Sequence, residues 1–348
     1  MAVADTSIRD YRWDNIKFLL ITLVVVGHFL DPFKEEIHWM KTLWLCIYIL
    51  HMPAFLLVAG MFAKSVMLRP KELAGKAAAY FRLYLYYEFA IFIIKIICSE
   101  EHKARFRIFR ENLYPWFLFV LAAFLLITFA VRKLNPPAVF WFAVFVGCMA
   151  GYDPTMNNLF CSSRLLTFFP FFLLGFYLDR KPVNDLLDKT ISKIVSAVVL
   201  AAGFFAVWQC ADQLIEFKKL FTGNGSFYSL PYPQLGCLYR LFYYVIVTGI
   251  IFMVFSLIPV RKSMVSGIGK RTMQIYVGHG LVVQVLLHTG FFEKISEEFG
   301  TGKQILMVLL AIGLTILLAI PVLGKPVQLV LSSRCFLAGR TARDNNGG

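Results

Sequence analysis

Charge is what this chain has least of. Only 16% of its 348 residues are Asp, Glu, Lys or Arg, against roughly a quarter in soluble domains, and 59% are hydrophobic. Acidic residues are scarcer than basic ones, 21 against 35, which leaves a formal net charge of +14 at pH 7. Long polar stretches are missing as well, so no soluble domain of useful size is expected. The seven cysteines (Cys46, Cys98, Cys148, Cys161, Cys210, Cys237, Cys335) are scattered without a CxxC pair. Most fall in or beside apolar runs, where Cys behaves as a small hydrophobe, so neither a disulfide framework nor a metal site is indicated. The excess of cations does not require nucleic acid as a partner, because short cytoplasmic loops of membrane proteins collect Lys and Arg.

What is present is a series of apolar runs, several of about 18 residues or more, long enough to cross a bilayer core. Ten candidate helices lie near 16–33, 40–63, 83–98, 116–131, 138–152, 165–178, 194–211, 241–260, 275–292 and 305–323. The fold class expected is an all-α, polytopic transmembrane bundle of about ten spans. Arg9 and Arg12 ahead of the first run imitate a secretory signal peptide, but the run continues through His28 into Asp31-Pro32 without a small-residue cleavage site. It reads as a retained first span. No internal repeat or linker divides the chain, giving one transmembrane domain, 1–323, and a partly disordered tail, 324–348.

The Lys and Arg residues orient the spans. With the N-terminus in the cytoplasm, 22 of the 35 fall on inner segments, 12 on outer ones, and Lys95 lies within a span. Both termini are therefore expected in the cytoplasm. The segment HKARFR (102–107), with Arg110, runs against this partition.

Ionisable residues inside spans are costly and usually face a bundle interior or a watery cavity. Lys17 and His28 are eleven positions apart, within about 20° of three whole helical turns, and so share a stripe about 16 Å long; Asp14 joins it three residues before Lys17. Each alone has a plain structural explanation: a snorkelling lysine, a histidine bonded to a neighbouring carbonyl. Their common face points to a functional cavity. In the second run, HMPAFLLVAGMFAKS places His51 directly before Met52-Pro53, where the proline disturbs the helix, and Gly60 permits close approach of a neighbour.

DNIKFLLITLVVVGHF (14–29) followed by HMPAFLLVAGMFAKS (51–65) resembles the acyltransferase 3 family of integral membrane acyltransferases, particularly its fucose 4-O-acetylase-like branch. The family opens with a basic residue, ten intervening residues and a His, which Lys17 and His28 match. Ala59 stands where the second motif usually has Ser. RLLTFFPFFLLGFYL (164–178) and GIGKRTMQIYVGHG (267–280) are similar to two later family segments, the last placing Tyr276 and His279. A departure is the RxxR pair many relatives carry at the third helix: Arg82 matches its second position, Ala79 stands at the first, and Lys76 is the candidate substitute. Glu88, an intramembrane carboxylate, has packing against Arg82 as its plain role.

The resemblance implies transfer of an acyl group, often acetyl, from cytoplasmic acyl-CoA to a carbohydrate hydroxyl of a cell-surface glycan or a lipid-linked precursor, with no tightly bound cofactor. The membrane expected is the cell membrane, crossed several times, which is the plasma membrane if the chain is bacterial. A sugar hydroxyl needs a base as it attacks a thioester, and neutral imidazole suits the task. His28 is the catalytic candidate, as base or as transient acyl carrier. Lys17, Lys76 and Arg82, at the inner boundary, are candidates for the coenzyme A phosphates. Arg164 and Arg240, at outer helix ends, are candidates for holding the acceptor; interface anchoring is their alternative. Asp14, His51, Tyr276 and His279 are expected to support the site. A secondary transporter and a catalytically idle membrane sensor remain as rival readings.

Overall fold

A computed structural model describes residues 11–98, 106, 114–157, 160–298 and 302–332. The rest of the basic segment 102–107, Arg110, Arg9 and the tail beyond 332 lie outside the described residues. Among those described there is no strand, and the fold is all-α. In chain order the helices are α1 (Arg12–Leu30), α2 (His38–Met67), α3 (Pro70–Cys98), α4 (Trp116–Val131), α5 (Pro136–Met149), α6 (Ser162–Tyr177), α7 (Arg180–Leu187) and α8 (Thr190–Gln209). There follow α9 (Ala211–Leu214), α10 (Lys218–Thr222), α11 (Gly236–Leu257), α12 (Ser266–Gly269), α13 (Thr272–His288), α14 (Phe291–Glu298), α15 (Lys303–Leu318) and α16 (Lys325–Ser332).

Each of the ten apolar runs forms a helix. Among the described residues, four segments are long and apolar enough to cross a bilayer: Arg12–Phe33, His38–Met67, Thr190–Gln209 and Pro233–Leu257. The pair α15 and α16, bent by 76°, counts as a fifth when taken together as one broken span. The third helix begins at Pro70, well before the apolar run, because Pro is preorganised for a first helical turn and nothing up to Cys98 breaks the helix. The helix of the ninth apolar run, α13, stops at His288, and Gly290 just beyond adopts φ +66°. The break after α15 leaves carbonyls without amides; the Gln274 amide donates to Leu318 O (2.7 Å) and Ile320 O (3.1 Å), and Arg271 to Ala319 O (2.9 Å).

Two ends of the bundle can be told apart by contacts between loops. At the Asp14 end, Asn15 donates to Pro259 O (2.8 Å), Lys64 meets Asp179 (2.6 Å) and Arg12 pairs with Asp188. At the His28 end, Lys41 meets Asp212 (2.5 Å), Lys218 meets Glu35 (2.7 Å) and Trp208 O contacts the His38 ring (2.9 Å).

The core is α1 wrapped by α2, α12, α13 and α15, with α6 against α2. At the α2–α6 crossing two glycines face backbone: a Cβ on Gly60 would lie 2.0 Å from Phe172 O, and one on Gly175 1.9 Å from Leu57 O. Gly60 does permit a close neighbour, and α6 is that neighbour. The periphery is different. α8 buries only Ser196, which shares a 2.9 Å hydrogen bond with Ser256 of α11, and presents the rest of its apolar surface outward. In water that surface would drive aggregation; in lipid it is at home.

Candidate active site

A cavity of about 310 Å³ lies at the His28 end, walled by α1, α2, the start of α4, α6, α10 and α13. His28, His51, Arg164 and Tyr276 line it, together with Tyr48, Trp44, Tyr114, Trp116 and Lys218. The histidines differ in how they are held. His51 donates its Nδ1 proton to Ile47 O at 2.7 Å, one turn back in its own helix, which leaves the Nε2 lone pair as its acceptor. His28 is half-buried; its Nδ1 lies 3.4 Å from the Tyr48 hydroxyl and its ring meets Tyr114 edge-on at 4.7 Å. His279 does not line the cavity. It stacks on His28 with ring centroids 5.4 Å apart, donates Nδ1–H to Ile275 O (3.1 Å), and its buried Nε2 has no hydrogen-bond partner among the described residues.

Tyr276 forms the floor. Its hydroxyl donates to Tyr114 O, and its carbonyl accepts from Tyr87 (3.3 Å), whose hydroxyl fits only because residue 280 is glycine. Arg164 stands over the Trp116 ring at 4.3 Å. The residues that launch its helix, Phe160 and Cys161, both have positive φ (54° and 52°), a conformation that bulky side chains rarely adopt. Ser163 then donates to Gly223 O (2.9 Å), tying the start of α6 to the end of α10. Gly223 itself is needed there: φ is +65°, and a Cβ would meet the Phe168 ring at 2.6 Å.

Arg240 stands behind the wall rather than in it. Wholly buried, it donates to Leu220 O (2.9 Å) and lies over Phe227 (5.5 Å), bracing the α10 segment whose Lys218, Lys219, Phe221 and Thr222 line the cavity. At the rim, the Lys218 ammonium holds the exposed Glu35 carboxyl below its ordinary pKa by hydrogen bond and charge, and Lys41 does the same for Asp212.

The α1 stripe joins this cavity to the other end of the bundle. Val24, Met52 and Tyr276 also line a second, narrow cavity of about 30 Å³, one turn below, with Ile21, Phe55, Phe117, Thr272 and Met273. At the Asp14 end a third, of about 530 Å³, is lined by Trp13, Asp14, Phe62, Arg180, Lys181, Asn184 and Asp185. Lys17 is at its edge, 2.8 Å from Asp14 and 5.6 Å from the Phe62 ring centre. Residues 14, 17, 21, 24 and 28 thus follow one face of α1 past three successive cavities. Arg82 and Lys76 line none of the three; Lys76 lies over Tyr80, 5.9 Å from its ring centre. Glu88 is buried in α3. No group of three His, Cys, Asp or Glu side chains suited to a metal ion occurs among the described residues.

Sequence reasoning missed Tyr48 and Trp44, although they lie three and seven residues before His51 and so on its helical face. It also missed Arg180 and Lys181, which sit in a short linking helix, and Lys218, which carries no motif.

Comparison with known proteins adds the family. Residues 10–324 match the model of the acyltransferase 3 family, described as an acyltransferase domain. Short stretches are similar to two curated proteins named nodulation protein NolL. The one from Mesorhizobium japonicum is 33% identical over 75 residues, 21% of this chain and 20% of that protein. The one from Sinorhizobium fredii is 35% identical over 69 residues, 19% of each. The chain thus aligns with about a fifth of the curated relatives it matches. No solved structure matches. The family match runs through all three cavities: the chain belongs to the acyltransferase 3 family.

Proposed function

We propose that this protein is a ten-span O-acyltransferase of the cell membrane, with both termini in the cytoplasm. It moves an acyl group, acetyl first, from acyl-CoA to a carbohydrate hydroxyl of a glycan or its precursor in the cell envelope. One observation carries the reading: a single face of α1 leads from a cation-bearing cavity at Lys17, through an apolar constriction, to the histidines about 16 Å away. That is the shape a thioester donor needs. Its phosphates stay at the cationic end, with Lys17, Arg180 and Lys181, while the uncharged pantetheine arm threads past Ile21 and Val24. The motif pair at 14–29 and 51–65 supports a fucose 4-O-acetylase-like acceptor class.

At the far cavity the acceptor hydroxyl meets the thioester carbonyl. His28 takes the hydroxyl proton as the oxygen attacks; the C–S bond then breaks and coenzyme A leaves as the thiolate. Tyr48 orients the His28 ring, His279 backs it, and Arg164 with Lys218 holds the acceptor's polar groups. The fixed tautomer of His51 supports a second assignment in which His51 is the base and His28 orients the acceptor. The deciding experiment incubates purified protein with labelled acetyl-CoA. Thioester turnover that rises with added saccharide supports the reading; absence of CoA binding overturns it.

Two further results are expected. Lys17→Gln, or Arg180→Gln, weakens acyl-CoA binding on the order of tenfold to a hundredfold, the worth of one charge-assisted contact, and leaves acceptor KM unchanged. Lys17→Arg is tolerated. Unchanged CoA affinity in Lys17→Gln, measured by calorimetry, returns that lysine to a purely interfacial role. For topology, single cysteines at Glu216 and Asp185 in a cysteine-free background label from opposite sides. Glu216→Cys reacts with an impermeant maleimide in intact cells, and Asp185→Cys only after permeabilisation. Reaction of both in intact cells defeats the proposed orientation.

A further inference from the structure

Asp31 has no part in the steps above, yet it lines the His28 cavity. It stands three residues beyond His28, about 4.5 Å further along the axis and within about 60° of the same face. The chain stays wound there because α1 runs directly into a 3-10 turn, Asp31–Phe33, whose Phe33 is buried in the core. The carboxylate is held by one oxygen only. Its Oδ1 accepts from the indole Nε1–H of Trp44 at 2.9 Å and meets the Lys34 ammonium at 3.2 Å. Oδ2 takes no hydrogen bond from the protein among the described residues, and the side chain is 34% exposed. An open acceptor atom is thus left on a group that is otherwise fixed.

The same contacts tie Asp31 to the histidine. Trp44 is buried, and its ring stacks on Tyr48 with centroids 3.9 Å apart and planes at 22°. The Tyr48 hydroxyl in turn lies 3.4 Å from His28 Nδ1. Lys34 folds back over the Trp44 ring, 5.6 Å from its centre, and donates to Asp31 O (2.9 Å). Asp31 and His28 are therefore set relative to each other twice, by the helix they share and by the stack of Trp44 on Tyr48.

Charge decides what the open oxygen takes. A bare carboxylate would call for a cation, but Lys34 already supplies one. Arg164, Lys218 and Lys219 line the same cavity and oppose the entry of another. What remains is a place for an uncharged hydrogen-bond donor, and a hydroxyl is that donor. We infer that Asp31 Oδ2 binds a second hydroxyl of the acceptor sugar, and so selects which hydroxyl meets the histidine base. The acceptor is then a ring with a free hydroxyl near the one acylated. This rests on the acyl-transfer reading above and names the residue that makes it regiospecific.

The test offers the full-length protein labelled acetyl-CoA with methyl α-fucoside, the acceptor class proposed above, or with its analogues deoxygenated at carbon two or carbon three. Wild type is expected to lose about tenfold to a hundredfold in kcat/KM on one of the two analogues, the worth of a hydrogen bond to a charged group. Asp31→Asn keeps an oxygen for Trp44 and puts an amide nitrogen in place of Oδ2. It is expected to lose a similar factor on methyl fucoside, to lose nothing more on the analogue that wild type rejects, and to acylate more than one hydroxyl. Its acyl-CoA affinity stays at the wild-type value. Equal turnover of all three sugars by wild type overturns the inference without any variant. So does an Asp31→Asn protein that still rejects the same analogue, which leaves Asp31 as a brace for Trp44 and Lys34. Preference for an amino group over the hydroxyl makes the open oxygen a cation site and overturns it too. Acyl-CoA binding without transfer to any of the three strikes the sugar acceptor, and the inference with it. Failure of wild type to bind acyl-CoA strikes the acyl-transfer reading itself.

Discussion

His28→Ala is expected to abolish acyl transfer while the protein still folds. Loss of a positioned general base costs about 10²–10⁴-fold in rate. The half-buried ring touches Tyr48, Tyr114 and His279, and its removal enlarges a cavity that already opens to the surface, so the structural cost is small. Labelled acetyl-CoA turnover, compared at matched thermal midpoints, measures the effect. His51→Ala belongs beside it: if His51 is the base, that variant takes the full loss and His28→Ala loses chiefly acceptor affinity. His279→Ala, which removes a ring outside the cavity, is expected to lower kcat less than either. Near-full turnover in His28→Ala would falsify the assignment of the base.

The second large effect is on the fold. Gly60→Ala and Gly175→Ala each drive a methyl group into main-chain atoms of the facing helix, where no rotamer change relieves the overlap. Overpacking within a core costs about 1–3 kcal/mol, and a backbone-to-backbone clash belongs at or above the top of that range. The loss extends to the site, because α2 carries Tyr48 and His51 and α6 carries Arg164. Gly203→Ala is the matched control, since that position has open space. Thermal denaturation in detergent is expected to show a large drop for the first two and none for the third. A wild-type midpoint for Gly60→Ala would mean the two helices are not in contact there.

Helical periodicity is a local property, so the ten apolar runs and the Lys17–His28 stripe are legible in the amino-acid order itself, and the stripe does border successive cavities. What depends on non-local contact is not legible there. Arg240 has the same sequence character as Arg164, a cation at a helix end. One lines the cavity and the other braces Leu220 from behind, and only the packing of α10 decides which. The α10 wall has no periodicity of its own; hydrogen bonds from Arg240 and Ser163, distant in sequence, give it shape. Arg82 and Lys76 fit a family motif by register alone, and neither lines any of the three cavities.

The narrow cavity beneath His28 has a consequence for the membrane's energetics. On the reading proposed above, donor and acceptor come from opposite faces, and such an enzyme risks becoming a leak in a membrane that stores an ion gradient. A space of about 30 Å³ holds one or two waters, at about 15 Å³ each, and its walls are apolar but for Thr272 and Tyr276, whose hydroxyl is already given to Tyr114 O, so a water there finds few partners. A relay of protons needs an unbroken file of hydrogen-bonded water, and a bare ion there would shed its hydration without replacement. On that reading the constriction works as an insulator through which an uncharged tether slides, so that chemistry is handed across the bilayer while the voltage stays where it was.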